Sequence, residues 1–219
     1  MSDDPGYRLK TETVRVGGVD TLIRSLLDRQ QFDDPDGAAE RLGISSSNWP
    51  LFGMVWPSAL VLADHLQRIE LAGRRVLEVG CGLALASLVA QRRGAQVTAS
   101  DIHPLTEPFL RENLRLNALP PLRYEPGDWA TPNPALGRFE LIVGSDVLYD
   151  RGLPAVLCAF IDRHAEPRAE VVIVDPDRGN RPAFNRGMEA LGFVRSERVV
   201  RALPEDGAPY KGRVLNYRR

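Results

Sequence analysis

Residues 76–82 read Val76-Leu77-Glu78-Val79-Gly80-Cys81-Gly82, and the helix-forming run Leu83-Ala84-Leu85-Ala86-Ser87 follows them. The mostly apolar residues predict a buried strand, and the two glycines predict a tight turn from that strand into a helix. Main-chain N–H groups at such a helix start suit a carboxylate or a phosphate, because no Cβ blocks the approach. A Gly-x-Gly turn after a strand is shared by several nucleotide-binding classes, so on its own it does not choose between them.

The chain around this turn alternates between strand-like and helix-like segments. Apolar runs predict strands at residues 75–79, 96–99, 122–125, 141–144 and 171–174. Amphipathic spacing predicts helices that begin at Pro57 and that cover residues 84–93, 108–116, 153–163 and 182–191. Strands that alternate with helices indicate an α/β, doubly wound, Rossmann-like sheet that is mostly parallel and covered on both faces.

Both ends of the chain depart from this alternation. Residues 193–200 and 213–217 are strand-like with no helix between them, which predicts a C-terminal antiparallel hairpin. Residues 13–16 and 21–24 flank Gly17-Gly18, which predicts a small N-terminal β-hairpin. We therefore divide the chain into an accessory extension or lid, residues 1–50, and a main domain, residues 51–219.

Composition limits the class of protein. Hydrophobic residues are 43% and charged residues 26% of the 219, as in a globular protein with a single core. No apolar run reaches the roughly 20 residues that cross a membrane, and the start Met1-Ser2-Asp3-Asp4-Pro5 lacks the order of a signal peptide, so we expect a cytoplasmic protein with no membrane partner. The net charge of −1 provides no global positive field, so nucleic acid is not expected as a partner. The two cysteines and three histidines show no metal-ligand spacing, so no metal is expected.

Two features narrow the choice of ligand at the glycine turn. The third glycine of the dinucleotide fingerprint is missing, because the pattern continues Gly82-Leu83-Ala84-Leu85. Asp101 ends the second strand of the series, near the offset of about 20 residues at which such folds bind ribose hydroxyls. A glycine-rich turn with an incidental acid is the structural alternative, and a nicotinamide-dependent oxidoreductase is disfavoured by the missing glycine and by the terminal hairpin.

Further polar and aromatic residues follow the carboxyl ends of predicted strands. Asp128-Trp129 follows the third strand of the series, and Ser145-Asp146-Val147-Leu148-Tyr149 follows the fourth. Asp146 and Tyr149 would share one face if this segment turned helical. The structural alternatives are a surface turn with a core-packed Trp129, and an N-cap aspartate with a packed tyrosine. The segment 175–180 either forms a substrate wall or caps the next helix.

These motifs, with Trp56-Pro57-Ser58-Ala59 before the first core strand, resemble those of the family 16 methyltransferases, a seven-β-strand group rich in protein lysine methyltransferases. The resemblance covers roughly residues 50–175. It implies S-adenosyl-L-methionine as the cofactor, with Asp128 near the adenine amino group and Trp129 and Trp56 against the cofactor. The implied cofactor-binding set is Trp56, Glu78, Gly80, Cys81, Gly82, Leu83, Asp101, Ile102, Asp128, Trp129 and Ser145.

The same resemblance implies that Asp146 and Tyr149 form the catalytic acid-x-x-Tyr motif that receives the acceptor amine. A protein lysine side chain is then the expected acceptor. A small-molecule acceptor and a non-catalytic cofactor-binding module remain alternatives, because one fold serves many reactions.

Overall fold

Seven strands of the chain form one twisted sheet, and two more form a separate hairpin. The structure is a computed structural model that describes residues 6–219. The strands are β1 (Leu9–Val16), β2 (Val19–Leu26), β3 (Arg75–Val79), β4 (Gln96–Asp101), β5 (Arg123–Pro126), β6 (Phe139–Ser145), β7 (Ala165–Asp175), β8 (Val194–Ala202) and β9 (Pro209–Arg218). The sheet order is β5-β4-β3-β6-β7-β9-β8. Strands β3 to β7 are parallel, while β9 pairs antiparallel with both β7 and β8.

Helices cover both faces of this sheet. They are α1 (Ala38–Arg41), α2 (Pro57–Gln67), α3 (Leu85–Arg92), α4 (Thr106–Leu116), α5 (Leu153–His164) and α6 (Arg181–Ala190), with 3₁₀ turns at Trp49–Gly53 and Pro134–Leu136. One apolar core lies under α2, α3 and α4, and a second lies under α5 and α6. The predicted α/β, doubly wound architecture with its closing hairpin is confirmed.

The order β5-β4-β3-β6 contains the point at which the direction of winding reverses. The chain runs outward from β3 to β4 and β5, and then returns to place β6 on the other side of β3. In open α/β sheets, ligands bind outside the carboxyl ends of the strands at this reversal. The glycine turn after β3 and the segment after β6 therefore stand next to each other at this rim.

The N-terminal hairpin packs on the first core rather than standing apart from it. Ile23 and Leu26 are fully buried there. The outer edge of β2 is bound by Asn113 on α4 and by Asn117, which directly follows α4. Asn113 Oδ1 accepts from the Arg24 N–H at 2.7 Å, and Asn117 Oδ1 accepts from the Leu22 N–H at 2.9 Å. The hairpin predicted around Gly17-Gly18 is confirmed, and both strands are longer than predicted.

Among the described residues, no helix is long and apolar enough to cross a bilayer. Residues 1–5, on which the expectation about a signal peptide depends, lie outside the described part of the chain. The cytoplasmic location stays a prediction.

Candidate active site

The turn after β3 requires glycine at two positions for both conformational and steric reasons. Gly80 and Gly82 have φ angles of 60° and 50°, in the left-handed region that other residues rarely adopt. A Cβ added to Gly80 would lie 2.9 Å from Val147 Cγ1 and 3.6 Å from Trp129 Cζ2. A Cβ added to Gly82 would lie 2.9 Å from the carbonyl oxygen of Phe52. The turn therefore keeps a narrow space next to Trp129 free of side chains.

Asp101, at the end of β4, is tied to this turn. Its Oδ2 accepts a hydrogen bond of 2.8 Å from the Gly82 N–H, and its Oδ1 accepts one of 2.9 Å from the His103 N–H. The carboxyl group is buried, and burial raises its pKa although the main-chain hydrogen bonds oppose this. Ile102 beside it is 38% exposed, which is unusual for a large apolar side chain. The predicted role of Asp101 in holding ribose stays a prediction; its hold on Gly82 is additional to that role.

Glu78 anchors the helix that follows the turn. Its Oε2 accepts hydrogen bonds from both the N–H and the hydroxyl of Ser87 in α3, at 2.8 and 2.5 Å. Burial raises the pKa of Glu78 to about 7, against the effect of these two hydrogen bonds. The carboxylate thus fixes the first turn of α3 relative to β3, and its assignment to the cofactor stays a prediction.

The other predicted cofactor residues from this turn are buried. The Cys81 N–H donates to the Ser100 carbonyl at 3.1 Å, and burial raises the pKa of its thiol far above the usual value, so the thiol is a poor nucleophile. Leu83 is 4% exposed, and its carbonyl accepts from Asn113 Nδ2 at 3.3 Å. Asn113 therefore links the N-terminal hairpin to the glycine turn.

Asp128 and Trp129 lie in different environments. The Asp128 carboxylate is exposed and closes its own turn, accepting from the Ala130 N–H at 2.9 Å and the Thr131 hydroxyl at 2.6 Å. The Trp129 indole is half-buried beside Gly80, and its centroid lies 6.5 Å from that of Phe160. Its Nε1–H is buried without a hydrogen-bond partner in the described structure. A buried donor without a partner next to the cleared space is consistent with a ligand there.

Trp56 is half-buried rather than part of the core. Its Nε1–H donates to the Leu51 carbonyl at 2.8 Å, and the Arg29 guanidinium stands 5.8 Å from the ring centroid. One face of its ring thus meets the N-terminal extension. The contact between Trp56 and a cofactor stays a prediction.

Ser145 ends β6, and Asp146 follows it at the carboxyl rim as predicted. Asp146 has a φ of 56°, and its N–H donates to the Val174 carbonyl at 2.8 Å. The helical turn that would place Asp146 and Tyr149 on one face does not form, because the chain stays irregular until α5 begins at Leu153. Asp146 is thus no helix cap, and Tyr149 is 53% exposed rather than packed. The structural alternative for these positions, an N-cap aspartate with a packed tyrosine, is therefore wrong.

Four residues near Asp146 were not in the predicted set. Arg178 Nε and Nη2 donate to the two carboxylate oxygens of Asp146, both at 2.8 Å. Asp175 ends β7 fully buried, with Oδ1 accepting from the Arg178 N–H at 2.8 Å and Oδ2 unpartnered. Tyr210 on β9 hydrogen-bonds to Ser58 at the start of α2, at 2.8 Å between the oxygens.

In the sequence, Ser58 belonged to the run Trp56-Pro57-Ser58-Ala59, and residues 175–180 were interpreted as a wall or a cap. No side chain caps α6, and Arg178 from this segment bonds to Asp146; a substrate wall there stays a prediction.

The Gly80 turn, Asp101, Ser145 and Asp146 thus lie together at the carboxyl rim, where β3, β4 and β6 end, with Trp129 beside Gly80. Glu78, Trp56 and Asp128 instead bond to α3, to Leu51 and to the turn after β5. A cavity of about 490 Å³ lies at the opposite edge of the sheet, where the same strands begin. It contains none of the predicted site residues, and its wall includes Arg75, Gln96, Arg123 and Phe139. The rim, and not this cavity, is the candidate active site.

A mostly parallel sheet with a glycine turn at its rim and a closing antiparallel hairpin defines the methyltransferase version of the doubly wound fold. The chain superimposes on the T. thermophilus 16S rRNA N2 G1207 methyltransferase, solved with AdoMet and guanosine, with a TM-score of 0.66 over 97% of this chain and 51% of that one. The sequences are 17% identical, so this likeness supports the fold alone.

The chain belongs to the lysine methyltransferase family, whose sequence model matches residues 45–184. It is 33% identical over 135 residues to the electron transfer flavoprotein beta subunit lysine methyltransferase of Xenopus laevis, covering 59% of this chain and 53% of that protein. It is 36% identical over 107 residues to the histone-arginine methyltransferase METTL23 of Xenopus laevis, covering 45% and 46%. The chain therefore spans about half the length of these curated relatives.

Proposed function

We propose that this protein is an S-adenosylmethionine-dependent methyltransferase that N-methylates a lysine side chain of another protein. The observation that carries the proposal is the placement of Asp146 at the same rim as the Gly80 turn, with Val147 joining them: Val147 follows Asp146 and packs against the space above Gly80. An acid that could orient an amine thus lies next to a cleared space that could hold the methyl donor.

The residues present fit the cofactor. The carboxylate of Asp101 lies beside the turn, where a ribose hydroxyl could donate to it, Ile102 offers an exposed apolar surface beside it, and Trp129 offers an indole face and a free donor. Gly80 and Gly82 let a ligand approach the main chain. When bound, S-adenosylmethionine supplies an activated methyl group that needs no acid to leave. The chain's own task is to place the acceptor nitrogen in line and to exclude water.

The acceptor side of the proposal follows from the polar groups near the turn. Asp146 and the Tyr149 hydroxyl are among them, and a carboxylate can accept a hydrogen bond from an amine. Lysine is the acceptor in the family's description and in the name of the flavoprotein-directed relative, while METTL23 is named for arginine. We also infer that residues 6–50 influence which protein is accepted, because Arg29 from this part stands over Trp56.

The test is incubation of the protein with methyl-labelled S-adenosylmethionine and a lysate of its own organism, followed by hydrolysis of the labelled protein. Methyl-lysine in one protein band is the expected result. Label as methyl-arginine would correct the acceptor residue, and label only in the small-molecule fraction would favour a small-molecule methyltransferase. No label in any fraction would favour a cofactor-binding module.

The matched variant is Asp146→Asn. Asparagine tolerates the left-handed backbone at this position better than alanine does, so the change removes charge without added strain. We expect transfer to fall at least about a hundredfold while the affinity for S-adenosylmethionine stays within a few-fold. Loss of cofactor binding on this change would move Asp146 to the cofactor site.

A further inference from the structure

The carboxylate of Asp146 is paired with an arginine side chain. The guanidinium of Arg178 meets it side-on, with Nε–Oδ1 and Nη2–Oδ2 distances of 2.8 Å each. The side chains are 14% exposed for Asp146 and 43% exposed for Arg178, so the arginine covers much of the acid. Two parallel hydrogen bonds fix the plane of the carboxylate as well as its charge.

Both partners are held by the end of β7. The Asp146 N–H donates to the Val174 carbonyl, and the Arg178 N–H donates to Asp175 Oδ1, each at 2.8 Å. One strand end therefore fixes the main chain at both positions. This lowers the cost of ordering the two side chains, compared with an ion pair between mobile surface segments.

The neighbouring arginines are bound elsewhere. Arg181 pairs with Asp177, and Arg213 pairs with Asp177 at 2.9 Å and with Glu197 at 2.8 Å. Of these three arginines, Arg178 is therefore the one that pairs with Asp146.

This ion pair is important for an amine acceptor. An unpaired carboxylate stabilises the ammonium form of the amine, and ammonium cannot attack a methyl group.

We propose that Arg178 is a positioning and specificity residue that orients Asp146 and cancels its charge, so that the site receives the acceptor nitrogen as a neutral amine. This inference rests on the proposed function. A carboxylate lone pair of Asp146 can still accept a hydrogen bond from an N–H of the amine. Because the net charge of the Asp146–Arg178 pair is near zero, the pair stabilises a protonated amine little. Asp146 then acts as a hydrogen-bond acceptor that directs the nitrogen, not as an anion that traps it.

Other charged and titratable groups lie around the Asp146–Arg178 pair on the neighbouring elements. The carboxyl group of Asp175 interacts with Asp146 directly, Asp177 interacts with Asp175, and Asp101 and Asp150 interact with Tyr149. The phenols are Tyr149 and Tyr210, and the cations are Arg178, Arg181 and Arg213. Burial raises the pKa of Asp175 to about 6, with Asp146 adding to the effect. Removing Arg178 would therefore leave Asp146 without its paired cation and next to the carboxyl group of Asp175.

The first experiment needs no knowledge of the acceptor. The probe is n-butylamine, which is protonated at pH 7 because its pKa is near that of lysine, about 10.4. Calorimetry would measure its binding to the full chain saturated with S-adenosylhomocysteine. We expect Arg178→Met to bind this alkylammonium about five- to tenfold more tightly than the wild type, and Arg178→Lys to bind within about twofold of it.

Arg195→Met is the matched control, because it removes the same charge from a guanidinium on the far strand β8, where Arg195 pairs with Glu189 of α6 and with Glu197 of β8. Its affinity for n-butylamine should equal that of the wild type. An Arg178→Met variant that is folded by circular dichroism and binds no more tightly than the wild type overturns the inference.

The second experiment follows label transfer to the protein band as a function of pH. The uncompensated Asp146 in Arg178→Met raises the pKa of the bound amine, so the midpoint of the rate profile should move up by about half to one pH unit. Arg178→Lys should keep the wild-type midpoint. A purely structural role would lower the rate equally at every pH, and an unmoved midpoint overturns the inference. If the wild type labels no band, the proposed function fails, while the calorimetry still decides whether Arg178 offsets the charge of Asp146.

Discussion

Asp101 accepts a 2.8 Å hydrogen bond from the main-chain N–H of Gly82, which joins the end of β4 to the glycine turn after β3. The two positions are 19 residues apart in sequence, yet one carboxylate sets the shape of the turn. The turn and its acid thus form one unit, and a change in either is expected to alter the other.

This relationship predicts the behaviour of Asp101→Ala. The variant releases the Gly82 and His103 N–H groups and removes the expected ribose acceptor, so we expect at least a tenfold loss of affinity for S-adenosylmethionine by calorimetry. The control is Asp206→Ala, in which the lost aspartate also accepts a main-chain N–H, from Ala208 in the β8–β9 loop. Equal affinities in the two variants would refute the role of Asp101.

The free space at Gly80 predicts a steric effect. Gly80→Ala places a Cβ within 2.9 Å of Val147 and narrows the gap beside Trp129, so we expect at least a tenfold weaker affinity for S-adenosylmethionine. Gly192→Ala is the matched control, because its φ is 83° and an added Cβ there meets nothing within 4 Å. Both variants should lose about 1 kcal/mol of stability to the left-handed backbone, but only Gly80→Ala should lose affinity. Normal binding by a folded Gly80→Ala would remove the turn from the cofactor site.

Glu78 predicts a pH dependence of stability. Its pKa is raised from 4.5 to about 7 in the folded state. Between these two pH values the folded state therefore keeps a proton that the unfolded state has released. The stability that comes from this protonation is lost as pH rises from about 4.5 through about 7. The gap corresponds to about 3 kcal/mol. Glu78→Gln keeps an acceptor for Ser87 but cannot ionise. In urea titrations the wild type should therefore lose stability relative to Glu78→Gln over this range. The exposed Glu40→Gln should follow the wild type, and parallel curves for Glu78→Gln and wild type would contradict the assignment.

Asn113 predicts the strength of the link between the hairpin and the glycine turn. This fully buried side chain bonds to the Arg24 N–H and to the carbonyls of Arg24 and Leu83. Asn113→Ala should cost about 2 kcal/mol of unfolding free energy, because it leaves buried main-chain groups unpaired. Asn117→Ala, one turn away and more exposed, should cost less than about 1 kcal/mol because water can replace its hydrogen bonds. If the two variants lost equal unfolding free energy in urea titrations, the greater burial of Asn113 would not make its hydrogen bonds more stabilising, and the prediction would be wrong.

The sequence predicts those features that depend on local pattern. The apolar run before Gly80 predicts β3 with both ends correct, and the helices predicted at residues 84–93 and 182–191 match α3 and α6 to within one residue at each end. Asp101 is predicted because its position follows from two neighbouring parallel strands.

The sequence does not predict which side chains pair across the sheet. Arg178 lies 32 residues from Asp146, and Tyr210 lies 152 residues from Ser58. Only the packing of β7 against β6 and β9 brings such partners together. Because the chain has many arginines, its sequence does not show which of them pairs with Asp146. The left-handed backbone of Asp146 accompanies its main-chain bond to Val174 on the neighbouring strand, a contact that residue type alone does not predict.

The most direct test of the account is a crystal structure of the protein with S-adenosylhomocysteine. We predict ligand density at the carboxyl rim, over the main chain of Gly80 and Gly82 and between Asp101 and Trp129. Density in the cavity beside Arg75 and Arg123 at the opposite edge, with the rim empty, would contradict the central claim.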